Sequence, residues 1–423
     1  MTTPSNRRVY KETETYQFYC GDIMRATVLG CGTVGTTAVK TLDALKAFDT
    51  ITIGDINVDY ARNVADSCTC EMLCVKCDAK DPEGLRDVIR NSDVVLNCIG
   101  PFYQYGPPIL NIAIEEGVNY VDVCDDLDAT TEQLKLHEKA VDNDVSAVIG
   151  MGSSPGLANV LVKFCENFLK IESVDIYHAH GGEPTEGAAV VKHRIHSMKM
   201  DIPVFLDGKL KTVKLFEESG KALEENCEFP AIGAYPVYAY PHPETITLPQ
   251  HIKGVKRVTN LGLVLPPEYS EVIKGVVRLG ITGEEPIPVG DTTVSPLEFA
   301  VQFILSERKR LLKKTGFKEP VGSLKIVVGG KKEKYAFSLG SRGQGMGEGT
   351  GIPAAVGTVL MGQGKITKKG VLPPEACANP LEVLELAAKV LKSGGKGDLP
   401  LIIEHYDEQG NKTVIDYKKI FPL

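Results

Sequence analysis

Two groups of ionisable residues in this sequence could move protons. One is the acidic run VDVCDD, with Asp122, Asp125 and Asp126; the other is HAHGG and VKHRIHS, holding His178, His180, His193 and His196, four of the eight histidines. A carboxylate or imidazole tuned near neutral pH can take a proton from an amine or hydroxyl. Asp122, Asp125, Asp126 and His180 are therefore the expected catalytic groups. On an extended strand His178 and His180 point to one face, which suits a polar cleft, a metal or an exposed sheet face; no metal is expected. Arg194 or Lys192 is expected to hold a substrate carboxylate, because a guanidinium binds it bidentately, with His196 beside them. The acids also have a plain reading as a helix-capping turn, since Asp128 or Thr130 could start a helix.

A third cluster fits phosphate. Arg25 to Leu29 (RATVL) reads as a strand, Gly30-Cys31-Gly32-Thr33-Val34-Gly35 follows, and TTAVKTLDAL reads as a helix. Gly30 permits the tight turn, Gly32 lets backbone approach a pyrophosphate, and Gly35 lets the helix pack on the strand. The N–H groups of Thr33, Val34 and Gly35 then face the anion at the positive helix end. Thr50 to Gly54 is a second strand tipped by Asp55, about 20 residues on, where an acid binds the ribose hydroxyl and repels a 2′-phosphate. NAD is expected as cofactor over NADP.

These residues need a frame, and the alternation supplies it. YARNVADSC, DPEGLRDVIRN, PPILNIAIEEG and TTEQLKLHEKAVDN read as helices; MLCVKCD, DVVLNCI, VNYVDVCDD and VSAVIGMG read as strands. Short apolar runs alternating with amphipathic helices predict an α/β fold with a doubly wound parallel sheet of the Rossmann type. Ligands bind beyond the carboxyl ends of such strands. Asp78, Asn97, Gly100 and Pro101 therefore join the expected cofactor site, with Phe102 and Tyr103 beside them.

After Ile149 the pattern changes. Residues 172 to 340 are rich in Val, Ile, Tyr and Thr with Gly and Pro punctuation. SVDIYHAH, GVKRVTNLGLVL, GVVRLGITG, SLKIVVGG and KYAFSLG predict an antiparallel sheet, and SPLEFAVQFILSERKRLLKK predicts a helix closed by its basic run. The glycine-rich Gly340 to Gly351 reads as a flexible loop feeding a helix in which Ala354, Ala355 and Gly357 allow close packing. LIIEHYD and KTVIDYK read as a hairpin near the C-terminus.

Composition bounds the function class. At 423 residues, with 43% hydrophobic and 24% charged residues, the chain matches an ordinary folded protein. A net charge of −8 argues against a nucleic-acid partner. No run of apolar residues is long enough to span a bilayer, and the polar residues 1–23 do not read as a signal peptide. Eleven cysteines, an odd number, indicate reduced thiols. Cys68, Cys70, Cys74 and Cys77 lack the paired spacing of a closed zinc site. A cytoplasmic location is expected.

The chain resembles the saccharopine dehydrogenase family, including its lysine 6-dehydrogenase branch. The resemblance rests on GCGTVG, NCIGPF, the GxxPGLxN run Gly152 to Asn159, and GIPAAVGTVLMGQGKITKKGVLPPE. It implies a Rossmann domain carrying an inserted α+β substrate and dimerisation domain, and NAD(P)-linked oxidation of a carbon–nitrogen bond in an amino acid. The expected organisation is an extension (1–23), a Rossmann domain (24–150), the inserted domain (151–340), a segment returning to the Rossmann domain (341–380) and a tail (381–423). A homodimer with a small amino-acid substrate is expected. Saccharopine reductases carry an acid just before the Pro-Gly, whereas this chain has Ser154. That departure favours a lysine 6-dehydrogenase-like oxidative deamination. A saccharopine or opine-type condensation and a non-catalytic NAD-sensing protein stay open.

Overall fold

The structure, a computed structural model, describes residues 24–183, 185–230, 232–343, 346–393, 400–416 and 419. The expected extension, 1–23, lies outside the described residues. The first half alternates as read: β1 (Arg25–Leu29), α1 (Thr33–Leu45), β2 (Thr50–Asp55), α2 (Val58–Ala65), β3 (Met72–Lys76), α3 (Pro82–Ile89), β4 (Val94–Asn97), α4 (Phe102–Glu115), β5 (Asn119–Asp122), α5 (Leu127–Leu134), α6 (His137–Asp142) and β6 (Ser146–Val148). The single helix expected over TTEQLKLHEKAVDN is two, because Leu136, with ψ 3°, leaves the helical region between them.

The second half contains α7 (Leu157–Cys165), β7 (Ser173–Gly181), α8 (Ala188–Lys199), β8 (Ile202–Leu206), β9 (Lys209–Val213), α9 (Glu218–Lys221), β10 (Glu225–Phe229), β11 (Gly233–Ala239), α10 (Glu244–His251), β12 (Arg257–Leu265) and α11 (Pro267–Arg278). Then come β13 (Ile287–Val289), β14 (Thr292–Val294), α12 (Pro296–Thr315), β15 (Val321–Gly329), β16 (Lys334–Arg342), α13 (Met346–Gly362), β17 (Gly370–Leu372), α14 (Pro374–Cys377), α15 (Pro380–Ser393), β18 (Leu401–Tyr406) and β19 (Lys412–Ile415).

The first sheet runs β17-β6-β5-β4-β1-β2-β3, parallel throughout. Its order reverses at β1, flanked by β2 and β4, and that is the crevice where such sheets bind ligands. β17 adds to β6, so the chain returns to this sheet after the second one. The second sheet runs β10-β11-β12-β7-β15-β16-β18-β19, with the β8–β9 hairpin attached through β12. It is mixed, not antiparallel as expected: β12 lies parallel to β7, a pairing that requires a crossover. GVVRLGITG is a second correction. Its apolar residues close α11, where Tyr269, Ile273 and Val276 are buried at helical spacing.

The glycine-rich run is a third correction. Gly347, Gly349 and Gly351 lie within α13. A Cβ at Gly347 would stand 2.7 Å from Thr33 Cγ2, and one at Gly351 2.7 Å from the Val34 oxygen. These glycines let α13 settle directly on α1, behind the phosphate turn. One apolar core continues from β1 and α1 through α7, α13 and α15 to β7, β15 and β16 of the second sheet. The two sheets are thus packed as one body, and they meet where His193 reaches Asp126 and Ser154 reaches Glu244.

Candidate active site

The phosphate turn has the build its spacing implied. Gly30 has φ +87°, and a Cβ there would press within 3.0–3.1 Å of Ile99 and Cys98 on the neighbouring strand end. At Gly35 a Cβ would fall 1.8 Å from the Gly30 oxygen, whereas at Gly32 it would meet nothing within 4 Å. Two glycines are required by packing, and the third leaves an open edge. The first turn of α1 has neither a side-chain cap nor an acid, so the N–H groups of Thr33, Val34 and Gly35 are left for an anion.

Asp55 closes the turn from β2, accepting from the backbone N–H of Cys31 at 2.7 Å and of Asn57 at 2.8 Å. A cavity of about 390 Å³ adjoins it, lined by Gly30, Asp55, Ile56, Cys77, Asp78 and Gly100 among others. Asp78 is tied to the Lys80 N–H at 2.9 Å. Asn97 is buried; it accepts from the Ile99 N–H and donates to Tyr120 Oη, each at 2.9 Å, and so shapes the Cys98–Pro101 turn from within. The set fits a dinucleotide laid along the switch point.

The acids at the end of β5 separate into different environments. Asp122 is fully buried and saturated. It accepts from the N–H groups of Gly150 (2.7 Å) and Cys124 (3.0 Å), from Gln133 Nε2 (2.6 Å) and from Tyr120 Oη (3.0 Å). It ties β5, α5 and the exit of β6 together, and the catalytic expectation at Asp122 gives way to a positioning role because no lone pair is left for a substrate. Asp126 accepts from His193 Nδ1 at 3.0 Å and from the Tyr103 N–H at 3.1 Å. Burial pushes the His193 imidazole down, but its hydrogen bond to Asp126 and the nearby Asp125 charge raise it on balance. Burial pushes the Asp125 carboxyl up, His193 and His242 pull it back, and it stays above the ordinary carboxylate range.

The second sheet supplies the facing wall. His178 and His180 share a face of β7 with ring centroids 6.1 Å apart. Burial, aided by the charge of His242, pushes His178 down to about 3; burial and the Arg194 charge push His180 far down as well. Both rings are therefore neutral at pH 7. His242, whose ring lies 5.4 Å from that of His178, bonds Glu244 at 2.8 Å through Nδ1. Glu244 also accepts from the Ser154 hydroxyl. Asn159 donates to Glu375 at 2.9 Å while accepting from the Gly156 N–H at 2.9 Å, which joins the GxxPGLxN run to the GVLPPE segment. Burial pushes the Glu375 carboxyl up to about 7.

The expected cations are partly diverted. Lys192 is ion-paired with Glu298 of α12. His196 lies on the surface, 3.4 Å from Asp128 and beside the Tyr103 ring. Arg194 is buried over the Tyr269 ring and contacts Glu186, which also holds Arg308 at 3.4 Å and accepts from the Tyr269 hydroxyl. The structure thus brings Asp125, Asp126, His180, His193 and Arg194 to one region and leaves Lys192 and His196 at its margin. Sequence reasoning passed over His242, Glu244 and Asn260. Only their polarity inside an apolar stretch could have signalled them.

Residues 26–148 match the saccharopine dehydrogenase NADP binding domain and residues 152–396 match the saccharopine dehydrogenase C-terminal domain. The chain belongs to the saccharopine dehydrogenase family. A human saccharopine dehydrogenase-like oxidoreductase is 33% identical over 98 residues, a match covering 23% of each chain, so the chain spans under a quarter of that relative. The carboxyaminopropylagmatine dehydrogenase of Synechocystis is 21% identical over 373 residues, covering 82% of this chain and 91% of that protein. Saccharopine dehydrogenase (L-Glu forming) from Saccharomyces cerevisiae shares the fold with TM-score 0.62 and 17% identity, covering 93% of this chain and 100% of its own. Among the described residues no helix is long and apolar enough to cross a membrane.

Proposed function

We propose that this saccharopine dehydrogenase-family protein oxidises or forms the carbon–nitrogen bond of an amino-acid substrate, with Asp125 as the group that exchanges the proton on the substrate nitrogen. The observation that carries the reading is the position of Asp125. It lies three residues past the carboxyl end of β5, within the charge of His193 and His242, with a raised affinity for protons. A bound nicotinamide supplies the two-electron hydride chemistry. Asp125 removes the proton that would otherwise hold the nitrogen as an ammonium, and His193, braced by Asp126, stabilises the ionised carboxylate.

The place of Glu244 bears on which amine is used. The missing acid before Pro155 favoured lysine deamination, yet the Glu244 carboxylate rests on the Ser154 hydroxyl and restores a negative charge at that point of the cleft. With that argument removed, a secondary amine of the saccharopine or opine type is the first reading and lysine 6-deamination the second. The long match to a dehydrogenase named for a carboxyalkyl amine supports the same order.

Asp55 supports NAD over NADP, against the name of the matched domain, because an acid at the tip of the second strand accepts from the ribose hydroxyls and repels a 2′-phosphate. The test is a screen for NADH and NADPH formation against saccharopine, N-carboxyalkyl amines, lysine and ornithine, with the released product identified. Keto-acid release from a secondary amine supports the first reading and ammonia release the second. Tight NADH binding with no turnover on any amine would instead mark a sensing protein. Asp55→Ser should raise kcat/KM with NADP about tenfold relative to NAD; an unchanged ratio removes Asp55 from the ribose site.

A further inference from the structure

Beneath the cleft, β7 and β12 run in parallel register, with Gly262 opposite His178. A Cβ at Gly262 would stand 2.1 Å from His178 Cε1, so the absence of a side chain there lets the imidazole lie flat on the neighbouring strand. Asn260, two residues earlier on the same face, is fully buried. Neither its Nδ2 nor its Oδ1 makes an aligned hydrogen bond, and neither does the Nε2 of His178, the side chain that lies against it. Orphaned polar atoms in such number are rare in a packed interior, because each costs about 1–3 kcal/mol. Two of the nearby acids are already occupied, Glu244 by His242 and Ser154 and Glu186 by Arg194, Arg308 and Tyr269, while Asp125 acts on His242 from the other side.

We propose that the floor formed by His178 and Asn260, with Arg194 and His242 at its sides, is a binding subsite for a carboxylate of the substrate. This rests on the amino-acid reading above. Asn260 offers a neutral donor through Nδ2, and His178 offers a donor on the same face. His242 opposes protonation of both His178 and His180 and Arg194 opposes that of His180, while Glu244 offsets part of this at His178. A carboxylate entering there reverses that opposition, so its binding draws a proton onto the imidazole pair and strengthens as pH falls. The groups that set this response are His180 on the same strand, His242 and Glu244 from the start of α10, Arg194 from α8, Tyr240, whose ring lies 5.1 Å from His178, and Asp125 and His193, which act on His242.

The test is calorimetric, on the full chain saturated with NADH, titrated with glutarate, a dicarboxylate without nitrogen, and separately with 1,5-diaminopentane. Glutarate is expected to bind about tenfold tighter near pH 6 than near pH 8. Proton uptake should be visible as a dependence of the heat on the buffer. His178→Phe and Asn260→Leu should each weaken glutarate about tenfold without altering NADH affinity. Asn260→Asp, close to isosteric, guards against misfolding: it should weaken glutarate and strengthen the diamine. Glutarate affinity unchanged in all three variants, binding without proton uptake, or preference for the diamine in the unaltered protein would each overturn the subsite. The two readings fail separately. Glutarate binding that obeys these rules with no amine turned over removes the reaction and keeps the subsite, whereas turnover whose KM ignores His178 and Asn260 removes the subsite alone.

Discussion

Asp122 and Asp125 stand three residues apart at the end of one strand and do opposite things. The Asp122 carboxylate is ringed by four donors from three elements. Burial raises the proton affinity of both acids, but the Asp125 carboxyl lies instead within the charge of two histidines, His193 and His242. A buried acid whose acceptor capacity is filled fixes geometry, and one set among titrating neighbours exchanges protons. Burial alone does not tell them apart.

The comparison breaks most visibly by substitution. Asp122→Ala strands Tyr120 Oη, Gln133 Nε2 and two backbone N–H groups, and should cost on the order of 4 kcal/mol in urea unfolding. Asp125→Asn should change stability by under about 1 kcal/mol yet lower kcat/KM by at least about 10²-fold. The acid limb of the pH profile, which Asp125 places above the ordinary carboxylate range, should disappear with it. Equal stability losses at the two positions would erase the distinction.

The phosphate turn offers the same contrast without charge. Gly35→Ala drives a Cβ to 1.8 Å from the Gly30 oxygen and should cost about 2 kcal/mol or more in stability. Gly32→Ala meets open space, and its φ of −61° suits alanine. That variant should fold with unchanged stability and bind NADH about tenfold more weakly, since the added methyl stands on the pyrophosphate side. Fluorescence titration of NADH alongside a melting curve separates the two outcomes.

The first sheet was largely legible because each strand and helix carries its own period, and the glycine turn and Asp55 lie within one βαβ unit. β1 begins and ends where RATVL placed it. The second sheet was less so. Its parallel β12–β7 pair joins residues 84 positions apart at Arg257 and Ser173, a register that no local pattern encodes. The apolar end of α11 reads as a strand in sequence because a short window holds fewer than two helical turns. The site suffered in the same way. Asp125 and His193 could be named from residue type, but His242, Glu244 and Asn260 gain meaning only once α10 and β12 are folded against Ser154 and β7.

Asp126 lies between the two extremes, and its effect is the smallest. Its pairing with His193 holds the imidazole above its ordinary value of 6.5 despite burial, and the carboxyl, also opposed by burial, falls below its ordinary 3.8 through that bond. The raised histidine contributes stability fully below pH 6.5 and loses it as pH rises through its folded value. The lowered acid contributes above pH 3.8 and loses it as pH falls through its own. The pair therefore stabilises most between those limits. Asp126→Asn should destabilise by about 1 kcal/mol near pH 5.5 and by clearly less near pH 8.5, read from urea unfolding at both. A deficit that is the same at both values would mean that the Tyr103 N–H bond and not the imidazolium accounts for it, which would move Asp126 to the side of Asp122.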